Sequence, residues 1–156
     1  MGSAIVQGLH MFFAIFWFGG TLFANFVVGP AAARSLPASQ ADFGAQIGIQ
    51  ADRVIRPVAT LAIILGFLRG TVWGPIHSAG DVFNSSYGRW WFIALLLAIA
   101  TFSWAELRTA PAARAIATVP DAERPAQIQR TIRDAMVELV GFAGILSMMV
   151  LMRFGI

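Results

Sequence analysis

Ala4-Ile-Val-Gln-Gly-Leu-His10-Met-Phe-Phe-Ala-Ile-Phe-Trp17-Phe-Gly-Gly-Thr21-Leu-Phe-Ala-Asn25-Phe-Val-Val28 contains neither an acidic residue nor an arginine or lysine. At about 1.5 Å of rise per residue, such a helix outreaches the roughly 30 Å hydrocarbon core of a bilayer. It is therefore read as a membrane-spanning helix, with Gly29-Pro30 expected to end it. It lacks a basic start and a small-residue cleavage site, so it is expected to be retained rather than removed as a signal peptide.

Three more stretches follow the first: 54–73, 90–107 and 135–154. The second carries Arg56-Pro57 near its start and Arg69 inside it, and the fourth carries Glu138 near its start. All three charged positions lie near span ends, where long side chains reach the interface. The composition agrees: 58% of the residues are hydrophobic and 12% are charged, against about 25% charged in a soluble domain. The expected fold is all-α: one integral membrane domain over 1–156, a four-transmembrane-helix antiparallel bundle with its surface in lipid.

The arginines give the expected orientation. The joins between spans 1 and 2 and between spans 3 and 4 hold Arg34, Arg53, Arg56, Arg108, Arg114, Arg124, Arg130 and Arg133. The opposite side holds Arg69, Arg89 and Arg153. The positive-inside rule places the richer loops in the cytoplasm and both termini outside, in a bacterial inner membrane. Ser39-Gln-Ala-Asp42 and Thr118-Val-Pro-Asp121 read as capping boxes opening short interfacial helices in those loops. In the second, Ile128, Ile132 and Met136 share a face opposite Gln129, Arg130 and Arg133. A repeat also shows: Pro30-Ala-Ala-Ala-Arg34 matches Pro111-Ala-Ala-Arg114, and Gly66-Phe-Leu-Arg69-Gly70 matches Met152-Arg153-Phe-Gly155.

Several chemistries are excluded. The chain has no cysteine, and all of its 11 basic residues are arginine, so thiolate and lysine Schiff-base chemistry are absent. Cations at membrane boundaries rather than on one exposed face also argue against nucleic-acid binding.

Two histidines remain. His10 lies six residues into span 1, and His77 follows span 2 in Trp73-Gly-Pro-Ile-His77. Both fall towards the outer side, with Met11, Met148, Met149 and Met152 at similar depth. Three readings stand open. His10 and either His77 or a methionine ligate a b-type haem between helices, with Arg69 and Arg89 neutralising its propionates. Alternatively, His10, His77 and Met148, or Met149 or Met152, hold copper, since imidazole and thioether suit Cu(I). In the third, His10 bonds a neighbouring helix, His77 is a loop residue and the methionines fill space.

Trp17, Thr21 and Asn25 continue the His10 face, marking the inward side of span 1, with Trp17 beside a cofactor. Trp73, Tyr87, Trp90 and Trp91 read as an interfacial aromatic belt. Glu106 and Glu138 are expected to pair with loop arginines or to relay protons.

The motif Leu9-His10-Met-Phe-Phe-Ala-Ile-Phe-Trp17-Phe-Gly19-Gly20 with Pro30 resembles the first span of CopD-like and HemJ-like membrane proteins. Ser86-Tyr87-Gly88-Arg89-Trp90-Trp91 resembles the start of the third span in the CopD-like group. The resemblance implies a cytochrome-b-like four-helix bundle, with haem b on His10 if HemJ-like and copper handling if CopD-like. Both groups tend to carry a lysine where this chain has Ala94, so HemJ-type oxidase activity is not implied. The function expected is electron transfer or redox sensing, with copper handling or a non-catalytic subunit role as alternatives. Its expected partners are the bilayer, a membrane redox partner or quinone, and a second copy or larger complex, with Leu95 to Ile99 facing it.

Overall fold

A computed structural model describes residues 1–34 and 37–155, without the side chains of 37–41, 43, 44, 51 and 52. Among the described residues every element is helical. α1 (Gly2–Phe23) runs through a π-helical turn, Ala24–Val28, into α2 (Gly29–Ala33). α3 is Pro37–Gly70, and α4 is the short Ala79–Asn84. α5 (Ser86–Trp104) passes through a second π turn, Ala105–Thr109, into α6 (Ala110–Ala115). α7 is Arg124–Phe154, ended by Gly155 at φ +69°, the left-handed geometry glycine adopts without strain.

Three continuous helices, Gly2–Ala33, Ser86–Ala115 and Arg124–Phe154, are long and apolar enough to cross a membrane. α3 differs because Arg53, Arg56 and Arg69 lie within it, and its uncharged run covers only 57–68. That run rises about 18 Å, short of a hydrocarbon core.

Gly29-Pro30 does not end the first helix, as expected from sequence. Proline lacks an N–H, and its ring crowds the carbonyl four residues back. The helix widens just before it, with the Gly29 N–H donating to the Ala24 carbonyl five residues back, and then continues. The same device precedes Pro111, where the Ala110 N–H donates to Ala105 O. Each position lies 81 after its counterpart, Ala105 after Ala24 and Pro111 after Pro30. α1 packs chiefly on α3 and α5 on α7, so the two halves repeat one order of elements.

The separate interfacial helices are also corrected. They are unbroken N-terminal extensions of α3 and α7. Ser39 to Asp42 falls inside α3, and the Ser39 side chain lies outside the described residues. Thr118 caps no helix: its hydroxyl donates to Ala115 O, and α7 starts later, at Arg124-Pro125. Proline suits a first helical turn, where its missing N–H has no intrahelical partner to lose. Arg124, 6% exposed, donates to Ile116 O and Val119 O and pairs with Asp121 at 2.8 Å. Gln127 donates to Ala112 O at 2.7 Å. These bonds meet carbonyls of α6 and of the turn that follows it. The face reading holds in outline, with Ile128 buried and Gln129, Arg130 and Arg133 exposed.

The core joins Trp17 of α1, Ala59 and Ala62 of α3, and Phe142 and Ile145 of α7. Trp17 meets Phe142 edge-on at 4.8 Å between ring centroids, and Phe102 at 6.2 Å. Lipid tails are as apolar as leucine, so helix association there rests on close packing. Ala59, Ala62 and Gly141 supply it; a Cβ on Gly141 would strike the Thr101 hydroxyl.

Candidate functional site

α1 and α3 approach closely enough for His10 Nδ1 to lie 2.9 Å from the Ala62 carbonyl oxygen. A carbonyl only accepts, so Nδ1 carries the proton and Nε2 keeps its lone pair. That is the tautomer a metal-ligating histidine needs, fixed by a backbone carbonyl. The imidazole fits because Gly66, one turn after Ala62, has no side chain. A Cβ there would stand 2.8 Å from His10 Cε1. Gly70, a turn further, is crossed by the Trp91 indole, whose Nε1 donates to Gly66 O at 3.3 Å.

His10 lines a cavity of about 730 Å³, within the size range of small-molecule and cofactor sites. Its walls are mostly apolar, and its polar groups include Gln7, His10, Arg69, Tyr87 and Arg153. Arg69 Nη1 donates to Trp73 O at 3.0 Å, while its buried Nε has no hydrogen-bond partner. Met149 and Met152 line the same space. Trp17, 4% exposed, closes one end.

The structure brings His10, Trp17, Arg69, Met149 and Met152 together and leaves three expected residues aside. His77 is exposed in the turn before α4 and does not line the cavity. Its backbone N–H donates to Asp81 Oδ2, and Ser78 and Asp81 form a reciprocal capping box opening α4. The turn is thus held by its own local bonds. Arg89 is exposed and donates to Phe83 O at 3.2 Å. Met148 is half-buried on another side of α7. Trp91, expected in an interfacial belt, is instead 8% exposed and lines the cavity.

Sequence reasoning misses Ala62, Gly66 and Gly70 as site residues. Their four-residue spacing of small side chains is a legible signal of close helix approach. Among the described residues, no cluster of three or more His, Asp or Glu side chains is arranged to hold a metal ion. A haem or copper site would therefore rest on His10 with the thioethers.

A second cavity of about 260 Å³ lies beyond Trp17, which lines both. Thr21 and Asn25, 8% and 9% exposed, face it, confirming this stripe as the inward side of α1. Thr21 Oγ1 donates to Trp17 O and Asn25 Nδ2 to Thr21 O. Arg56 and Glu106 form an ion pair at 2.6 Å at its edge, and Glu138 lines it at 6% exposure.

Comparisons with protein-family models, curated proteins and solved structures return no match to this chain.

Proposed function

We propose that this chain is a four-span integral membrane protein that holds b-type haem on His10 and serves electron transfer or redox sensing. The observation that carries this reading is the Nδ1–H bond to Ala62 O, which leaves Nε2 for a metal beside a cavity of cofactor size. Met149 or Met152 is the second ligand, in place of His77. Arg69 and Arg153, not Arg89, meet the propionates. Haem, when bound, supplies a one-electron couple; the protein's part is to orient the imidazole and exclude water with Trp17, Phe18 and Ile145.

α3 is taken as the fourth span. Arg56 is paired with Glu106, and Arg69 folds back on Trp73 O at the last turn of α3, so both charges sit at boundaries. The arginine-rich loops then lie inside and both termini outside, in a bacterial inner membrane. Membership of the CopD-like or HemJ-like group belongs to this proposal. A redox partner, a quinone and a homodimer or larger complex remain its candidate partners.

The test is a visible spectrum of purified protein, oxidised and dithionite-reduced. A Soret band that moves on reduction is expected in the wild type, absent in His10→Ala, altered in Met149→Ala or Met152→Ala, and unchanged in His77→Ala. A colourless wild type made with ample haem precursor overturns the haem assignment. A second reading is favoured by one imidazole and three thioethers, of Met11, Met149 and Met152, lining one cavity, a donor set for Cu(I). Stoichiometric copper in colourless protein would establish it.

A further inference from the structure

α1 packs chiefly on α3 and α7 chiefly on α5, so α1 and α7 share only a small contact. At the inner end of their seam the Phe142 ring closes it, with centroids 4.8 Å from Trp17 and 5.1 Å from Phe18. Successive turns outward carry Ile15 and Leu146, then Met11 and Met149, all of which line the His10 cavity.

The exposure of the lining residues shows where that cavity opens. Met11, Ile15, Leu146 and Arg153 are exposed, and all four belong to α1 or α7. Every lining residue contributed by α3 or α5 is buried or half-buried. Met11, Ile15 and Leu146 are 50%, 65% and 45% exposed, and they lie within the uncharged runs 1–33 and 139–152. In helices that cross a bilayer, such positions meet acyl chains rather than water. The three side chains are thus the lips of a gap that faces lipid.

The polar groups gather at the outer end. Arg69, Tyr87 and Arg153 line the cavity, and no Asp or Glu does among the described residues. Arg69 Nε is buried without a hydrogen-bond partner. Leaving a guanidinium N–H unmet in apolar surroundings is costly, so the cavity suits a ligand that carries an acidic group to that end.

We propose that the gap between α1 and α7 is a lateral portal, through which the His10 cavity takes an anionic amphiphile directly from the bilayer. The acidic end of the ligand meets Arg69 and Arg153, and its apolar body passes between Met11, Ile15 and Leu146. The portal rests on the haem reading only for the name of that ligand, since haem with its propionates is one such amphiphile.

The test places the full chain, free of cofactor, in phosphatidylcholine vesicles. Iodonaphthyl azide, which dissolves among the acyl chains, should on illumination label Trp91, Leu95 or Ala98 behind the lips as well as the lipid-facing Phe12 and Phe16. Ile15→Trp and Leu146→Trp narrow the gap at exposed positions that need no core repacking. Both should lose the labels behind the lips and keep those on Phe12 and Phe16. Oleate in the vesicles should protect Trp91 from the azide, and oleyl alcohol should not. Haem supplied in the vesicles should raise the Soret band several-fold more slowly in both tryptophan variants, to the wild-type amplitude, and at the wild-type rate in Phe12→Trp. No label behind the lips in the wild type, or equal label in the narrowed variants, overturns the portal, as does haem uptake that narrowing does not slow. Equal protection by oleate and oleyl alcohol overturns the anionic ligand class. Labels lost on narrowing, with no Soret band in the wild type, would uphold the portal and remove the haem reading.

Discussion

His10 owes its candidate role to two residues that carry no functional group of their own. Ala62 contributes a carbonyl oxygen 2.9 Å from Nδ1, and Gly66 contributes the space in which the ring lies. Enlarging Gly66 is therefore expected to act as a histidine mutation does. A Cβ at 2.8 Å from Cε1 forces the imidazole to shift, and a leucine displaces it. Gly66→Ala should broaden or shift the visible bands, and Gly66→Leu should abolish them with the helical circular dichroism retained. Unchanged bands in Gly66→Leu would show that His10 is not the ligand. The histidine itself was legible from sequence, as a lone imidazole in an uncharged span. Its partner was not, because a backbone carbonyl 52 positions away leaves no mark in residue identity.

Among the elements, the prolines and the turn after α3 behave differently from their sequence signals. Pro30 reads as a stop, yet the helix widens by one residue before it and continues, and the helix does the same before Pro111. Deleting Val27 should remove the widened turn and rotate α1 by about 100° relative to α2. Trp17 would then leave the core, and thermal unfolding should fall well below the wild type. In the other case, a capping box forms at Ser78 and Asp81, where none was expected from sequence. The Asp81 carboxylate accepts from the His77 N–H, the Ser78 hydroxyl and the Ser78 N–H, which together hold its pKa below the ordinary carboxylate value. A depressed pKa means the cap's contribution is present above the unfolded value and lost as pH falls through the folded one. The His77 and Ser78 amide resonances should therefore move together with an apparent pKa below that of a free aspartate. Asp81→Asn should remove the titration.

Across the whole molecule, Trp17 separates the two cavities and touches Phe102 and Phe142 of the second hairpin. Its truncation should be the most damaging single change in the core: Trp17→Ala is expected to cost about 3–5 kcal/mol, as for other buried aromatics. The Arg56–Glu106 pair also links the hairpins, but its side chains are 44% and 29% exposed. Arg56→Ala should cost about 0.2–1 kcal/mol, the scale of a solvent-screened pair. Unfolding curves of both variants in one detergent check the order. A smaller loss for Trp17→Ala than for Arg56→Ala would mean that charge, not ring packing, joins the halves.

By itself the sequence determined the solvent and the class of structure. Uncharged runs such as 4–28 are too apolar for water and must satisfy their backbone internally, so composition and length alone dictate helices. It also marked the inward stripe of Trp17, Thr21 and Asn25, because polar side chains in an apolar span turn towards protein. Only the tertiary structure decided which groups share a cavity. It put Met149 and Arg153 beside His10, left His77 outside, and buried Glu138 with an unpartnered oxygen. Such neighbours depend on helix rotation and approach, set where alanines and glycines allow two backbones to touch. One residue's rotation is about 100°, finer than a pattern of apolar runs can resolve.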